Sequence, residues 1–280
     1  LFFVHVARFS RRYYKEKEWR EQMAYKIVFF DIDGTLLNTE HAIPQSTVDA
    51  VNRLRQNGIR VAIATGRSPY HLMPIAKQLG IDTFIGFNGS YVVSEQKVIH
   101  HTPFATSTLA ELEQLAHGHE HPMVFLSHEQ CYANAADHPH VIDSFDFLRL
   151  PAPAHHDRYW EVAPIYQAFL YCTAEEEAVY TEKFAQVSYV RWHNRVLDIL
   201  PKGGSKARGI EAILKHEGLT PADAVAFGDG LNDREMLSYV GMGVAMGNAH
   251  EELKPFANMV TRHVNEDGIR HGLLQLGLIN

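Results

Sequence analysis

Ile27-Val28-Phe29-Phe30, running straight into Asp31-Ile32-Asp33-Gly34-Thr35, is the stretch that decides the fold of this 280-residue chain. Four consecutive apolar residues, two β-branched and two aromatic, suit a strand buried on both faces, as in a parallel sheet. Such sheets do their chemistry at the carboxyl ends of their strands. Because strand side chains alternate in direction, Asp31 and Asp33 can point to the same side as the chain leaves the strand, and Gly34 permits the bend that follows. One carboxylate can then attack while the other moves protons, and the pair offers the hard oxygens that Mg²⁺ prefers. Taken alone, the motif is also compatible with a solvated turn.

Three later segments repeat the arrangement in order. Val61-Ala62-Ile63-Ala64 is a second apolar run that ends in Thr65-Gly66-Arg67, offering a hydroxyl and backbone N–H groups to an anion. Ser205-Lys206 opens a helical pattern in which Ile210, Ile213 and Leu214 form one apolar face, with Ser205 as its N-cap and Lys206 near its N-terminus. Ala224-Val225-Ala226-Phe227 leads into Gly228-Asp229-Gly230-Leu231-Asn232-Asp233, a second acidic loop after a strand. Each residue has a plainer alternative: Thr65 as a cap of the helix after its strand, Lys206 as a solvated charge, Asp233 as a cap of the helix through Met236 and Leu237. For Asp31, Asp33 and Asp229 that alternative is poor, because carboxylates at converging strand ends repel one another without a cation.

Around these motifs, helical patterns alternate with strands. Val48, Val51 and Leu54 share one face before Gly58, and Leu72, Ile75, Ala76 and Leu79 share another before Gly80. The expected core is therefore α/β with a parallel sheet. Residues 91–93 and 97–99 read as a hairpin after Asn88-Gly89. From about Thr106 helical segments (109–116, 175–185) alternate with strand-like ones (123–126, 165–170, 187–190, 196–200), which describes an inserted α+β domain. Thr65 follows Asp31 by 34 positions and Lys206 follows Thr65 by 141, so the insertion falls between the second and third motifs.

The four motifs in this order, with Phe87-Asn88-Gly89 and Glu266-Asp267-Gly268 beside them, resemble the haloacid dehalogenase superfamily, and within it the Cof-type (subfamily IIB, C2-capped) phosphatases. The resemblance implies a Rossmann-like core over 23–105 and 201–280 and a C2-type cap over 106–200 that selects substrate. It excludes a cap of the β-phosphoglucomutase kind. It implies Asp31 as nucleophile, forming an aspartyl-phosphate, and Asp33 as general acid and then general base. Mg²⁺ would be held by Asp31, the Asp33 carbonyl, Asp229 and Asp233. Thr65, Gly66, Lys206 and Asn232 would hold the phosphate oxygens. The implied activity is hydrolysis of sugar phosphates or of phosphorylated cofactors such as pyridoxal phosphate or flavin mononucleotide. A phosphosugar mutase of similar cap type and an idle phosphometabolite-binding module are the alternatives.

In the cap, Arg191-Trp192-His193 combines a cation, an aromatic face and an imidazole just before the return to the core, which would suit a ring-bearing phosphate. The same residues could equally be packing and surface. Histidines cluster there too (His117, His119, His121, His138, His140, His155, His156), and read as exposed polar loop rather than as a second metal site.

Composition bounds the rest. A net charge of -7 and a pI near 6.2 argue against a nucleic-acid partner, since phosphate-backbone affinity needs clustered Lys and Arg. The chain has no apolar stretch long enough to span a bilayer, so no membrane partner is expected. Two cysteines, Cys131 and Cys172, are too few for a disulfide framework and point to a reducing cytoplasm. The expected state is a monomer or weak homo-oligomer. Residues 1–22 carry six basic residues against three acids, ahead of Met23, and read as an extension outside the fold rather than a signal peptide.

Overall fold

The computed structural model describes residues 25–280, so the expectation for residues 1–22 lies outside the described residues. Along the chain, β1 (Ile27–Phe30), α1 (Gln45–Gln56), β2 (Arg60–Ala64), α2 (Pro69–Leu79) and β3 (Phe84–Gly86) alternate as expected. The hairpin β4 (Tyr91–Ser94) and β5 (Lys97–His101) follows, then α3 (Thr106–Gly118), β6 (Met123–Leu126), β7 (Cys131–Ala133) and α4 (Pro139–Phe147). Next come β8 (Ala154–His155), β9 (Gln167–Tyr171), the single turn α5 (Ala178–Thr181), β10 (Val187–His193) and β11 (Val196–Pro201). The chain closes with α6 (Lys206–His216), β12 (Ala224–Gly228), α7 (Arg234–Tyr239), β13 (Met242–Ala245), β14 (Met259–Val260) and α8 (Gly268–Gln275).

Contacts divide the molecule into two compact units, with boundaries after Ala62 and after His216. In the unit formed by the chain up to Ala62 and from Glu217 onward, the strands run in the order β14-β13-β12-β1-β2. β12 pairs in parallel with both β1 and β13, and β13 does so with β14. Every residue of β1 is buried, which explains why its sequence is uniformly apolar rather than alternating. Ile27 lies opposite Ala224 and Phe30 opposite Phe227, whose rings stack 5.1 Å apart. The register therefore brings the residues after Phe30 and after Phe227 to the same end of the sheet. That is the condition for the two acidic loops to meet.

In the unit from Ile63 to His216, the C-terminal part of β2 pairs in parallel with β3, and β3-β4-β5 continue antiparallel. A second sheet follows the order β10-β11-β9-β6-β7-β8 and is antiparallel except for β7–β8. Its apolar face packs on α3 around Phe125, Leu170, Leu197 and Tyr180. Among the described residues no helix is long and apolar enough to cross a membrane.

Two local expectations change. The helix expected over 175–185 shrinks to Ala178–Thr181. Glu176 Oε2 accepts from the backbone N–H and the hydroxyl of Thr173, the contact of a capped helix start, but only Ala178–Thr181 is regular α-helix. The histidines are not one exposed loop. His117 belongs to α3, and the His138 ring accepts from the His140 N–H to cap α4. His121 is partly buried, 2.7 Å from the Tyr180 hydroxyl and 3.4 Å from Glu176.

Candidate active site

The first part of the site grows out of β1. The Asp31 N–H donates to Phe227 O at 3.0 Å, extending the β1–β12 ladder by one residue and fixing where the carboxylate emerges. Asp31 is 6% exposed, whereas Asp33 is exposed. Beyond Asp33 the chain folds back: Leu36 N–H donates to Asp31 O and Leu37 N–H to Ile32 O. Gly34 is indispensable to this turn for two reasons. Its φ is +77°, and a Cβ there would fall 2.1 Å from Asp229 Oδ2.

Asp229, at the end of β12, is held from both sides. The Thr35 hydroxyl donates to its Oδ1 at 2.9 Å, and Asn248 Nδ2 donates to its Oδ2 at 3.3 Å. The same Asn248 amide nitrogen donates to Gly34 O at 2.7 Å, while its Oδ1 accepts from Val264 N–H. One asparagine thus ties both acidic loops together. Asp233 is fully buried, and its Oδ2 accepts from the N–H groups of Asp229 and Gly230, both at 2.9 Å. The Asp233 side chain thus closes the turn that precedes α7 and makes no capping bond to α7 itself, and this aims the carboxylate at its neighbours. Asp31, Asp229 and Asp233 each present an oxygen, all within 4.8 Å of one another. Among the described residues this is the one group of three or more such side chains whose ligand atoms come so close together. The Asp33 side chain lies outside the group, and Asn232, next to Asp233 in sequence, is exposed.

The other predicted residues assemble in the second unit. Thr65 N–H donates to Ile85 O, and Thr65 O accepts from Asn88 N–H at 3.0 Å. The Thr65 hydroxyl oxygen accepts from Arg67 N–H at 3.1 Å, a bond within the turn after β2, whereas the N-cap of α2 is Ser68; a hydroxyl that accepts can still donate. A Cβ on Gly66 would lie 3.0 Å from the Asn88 amide, and one on Gly89 would lie 2.1 Å from Ser205 O. Thr65-Gly66, Asn88-Gly89 and Ser205-Lys206 are thereby packed in sequence against one another. Phe87 and Asn88 both take left-handed backbone conformations (φ 50° and 51°), a strain that the stacking of Phe87 on Tyr166 at 5.5 Å helps to hold. Lys206, in the first turn of α6, is 1% exposed, which rules out a solvated surface charge.

Arg191, Trp192 and His193 sit on β10. The Arg191 guanidinium is engaged by Glu177 at 2.7 Å and by the carbonyls of Cys172 and Thr173. Trp192 Nε1 donates to Asp198 Oδ1 at 2.6 Å, and Gln167 Nε2 donates to the other oxygen. Burial pushes the Asp198 carboxyl up to about 7 despite these donors. Phe147 is 66% exposed, with its ring 5.4 Å from His193 and 6.3 Å from Trp192.

Sequence reasoning assigned no role to Thr35, Asn88 or Asn248. Thr35 and Asn88 belong to quoted motifs, but Asn248 stands in Gly247-Asn248-Ala249, a stretch with no chemical signature of its own.

The family model of haloacid dehalogenase-like hydrolases matches residues 28–273. The chain belongs to that family. YkrA of Bacillus subtilis (strain 168) is 44% identical over 92% of this chain and 100% of its own length. A crystal structure from Geobacillus kaustophilus HTA426 superposes with a TM-score of 0.89 at 50% identity, over 91% of this chain and 100% of that one. BT4131, described as a sugar phosphatase of HAD subclass IIB, superposes with a TM-score of 0.79 at 30% identity over 91% and 100% of the two chains. Among more distant relatives is YbhA of Escherichia coli (strain K12), a pyridoxal phosphate phosphatase 28% identical over 88% of this hydrolase and 97% of the relative.

Proposed function

We propose that this hydrolase is a Mg²⁺-dependent phosphatase of small phosphorylated metabolites that works through an aspartyl-phosphate. The observation that carries the reading is the convergence of Asp31, Asp229 and Asp233 within 4.8 Å. At that distance each pair of ionised carboxylates repels by about 3 kcal/mol at an effective dielectric of 20. Donation from Thr35 and Asn248 offsets part of this, and a cation offsets the rest. An all-oxygen donor set without His or Cys suits Mg²⁺ rather than Zn²⁺. Asp31, Asp229, Asp233 and the Asp33 carbonyl would hold the ion, which when bound neutralises charge between an anionic nucleophile and an anionic phosphate.

In this reading a carboxylate oxygen of Asp31 attacks phosphorus, and the bond from phosphorus to the bridging oxygen breaks. Asp33 gives its proton to the departing oxygen. The deprotonated Asp33 then takes a proton from water as that water attacks the aspartyl-phosphate, releasing inorganic phosphate and restoring Asp31. Thr65, Gly66, Lys206 and Asn232 bind the non-bridging oxygens, whose charge must be stabilised during transfer. The exposure of Asp33 beside the buried Asp31 fits a group that exchanges protons with substrate and water.

We read 106–200 as the cap that chooses the substrate and 23–105 with 201–280 as the core. Supporting this, the strands of the second sheet all lie between Met123 and Pro201. Sugar phosphates and phosphorylated cofactors are the substrate classes, in keeping with what BT4131 and YbhA are named for. Free Cys131 and Cys172 fit a cytoplasmic home. The test is phosphate release from a panel of sugar phosphates, nucleotides, pyridoxal phosphate and flavin mononucleotide, with Mg²⁺ and with excess chelator. Metal-dependent release is expected. No release from any compound by the folded, Mg²⁺-supplied protein would overturn the proposal.

A further inference from the structure

The catalytic reading makes no use of a cleft of about 780 Å³ between the β4–β5 hairpin and α6. Its size falls within the range of small-molecule sites. The residues that line it are strongly biased in charge. Lys202, Arg208 and Lys215 face it with Glu211 as the one carboxylate, and His100 and His216 add two imidazoles, all on a chain whose net charge is -7. Lys202 spends one donor on Ala185 O at 2.8 Å and keeps two. Arg208 lies across the Gly203 backbone, with its Nη1 3.1 Å from where a Cβ would stand.

Ser90 lines the same cleft from the buried side. It is 1% exposed, and its hydroxyl has no hydrogen-bond partner among the described residues. Buried polar groups are normally paired, so an orphaned hydroxyl beside a ring of cations points to a ligand acceptor. A Cβ on Gly204 would sit 2.9 Å from Ser90 Oγ, so only a glycine leaves room beside that hydroxyl.

We propose that this cleft binds a small polyanion, a molecule carrying two or more phosphate or carboxylate groups, outside the catalytic site. The placement gives such binding a consequence. Thr102 lies on the segment leading from β5 toward the second sheet, and Lys202–Gly204 on the segment leading back from β11. A bound polyanion bridges both connections, and Lys206 follows Gly204 by two residues. The ligand thus bears on the position of the buried lysine assigned to phosphate.

The test is isothermal titration calorimetry of the intact chain in chelator, without metal, using citrate and inorganic pyrophosphate as probes. Citrate binding at one site, weakened by added salt, is expected. The Arg208→Ala/Lys215→Ala double variant, in which both changes are on exposed positions, should weaken it by roughly tenfold or more, since each removes a charge-assisted contact. Ser90→Ala should weaken it less, and Lys206→Ala should leave it unchanged. Pyrophosphate bound more tightly than citrate, with the same sensitivity to the double variant, supports a phosphorylated ligand, and the reverse order supports a polycarboxylate. The proposal is overturned if neither probe binds, or if citrate binding survives the double variant and is lost in Lys206→Ala. No turnover is involved, so failure here leaves the phosphatase reading standing, and failure of that reading leaves this one testable.

Discussion

Replacing Gly34 by alanine should damage the metal site far more than its chemistry suggests, and Gly58 supplies the control. Both glycines have φ +77°, but a Cβ at Gly58 meets nothing within 4 Å, whereas one at Gly34 falls 2.1 Å from Asp229 Oδ2, 2.7 Å from Cγ and 2.9 Å from Oδ1. Gly58→Ala therefore carries only the left-handed backbone cost of about 1–2 kcal/mol. Gly34→Ala carries the same cost and must also push the Asp229 carboxylate more than an ångström away to restore ordinary contact. That movement breaks the bonds from Thr35 Oγ1 and Asn248 Nδ2. Hydrogen bonds to charged groups contribute about 1.5–3 kcal/mol each, so the further loss is about 2–4 kcal/mol once some relaxation is allowed. Urea denaturation of both variants measures this difference, and Mg²⁺ titration of phosphate release measures the displacement of Asp229. Gly34→Ala should require at least tenfold more Mg²⁺, with Gly58→Ala near wild type. Equal stability losses and an unchanged Mg²⁺ requirement in the two variants would refute the reasoning.

Asp31→Asn should abolish phosphate release yet melt no earlier than the parent in chelator, because it removes one charge from a repelling trio; residual turnover near wild type would refute the nucleophile assignment. Asn248→Ala should raise the Mg²⁺ requirement by about 10–100-fold through loss of its bonds to Asp229 and Gly34, and a normal Mg²⁺ titration would show that it positions neither. Asp198 keeps its proton to about pH 7 in the folded chain against 3.8 when exposed, so the native state binds more protons between those limits and stability falls as pH rises through them. Urea midpoints should thus correspond to a loss of about 2–3 kcal/mol between pH 5 and 7, and this slope should flatten in Asp198→Asn; parallel slopes would count against it. Arg191→Ala should cost about 1–3 kcal/mol by releasing Glu177 and the carbonyls of Cys172 and Thr173, with Arg191→Lys recovering only part, since an ammonium cannot match the planar fork; a melt equal to wild type in Arg191→Ala would refute it.

Legibility followed the range of the interactions concerned. β1, β12 and the acidic loops after them could be read directly, because a strand buried on both faces must be apolar throughout and chemistry collects where such strands end. The α6 face of Ile210, Ile213 and Leu214 was equally plain, since helical period is local. The length of the helix after Thr173 was not, because the Thr173–Glu176 cap marks where a helix starts and not how far it runs. Nor could the chain order show that Asn248 reaches both Gly34 and Asp229, or that Lys206 is buried.

What the sequence determined by itself was therefore the kind of chemistry: two acidic loops after buried strands, a hydroxyl loop and a helix-borne lysine. What only the tertiary structure decided was which oxygens converge. The parallel register of Phe30 with Phe227 brings Asp31 to Asp229 and Asp233, and Thr35 and Asn248 fix the angle at which they meet. Residue type and local period set what a group can do, whereas distances between residues about 200 positions apart depend on how strands pair, which no local pattern encodes.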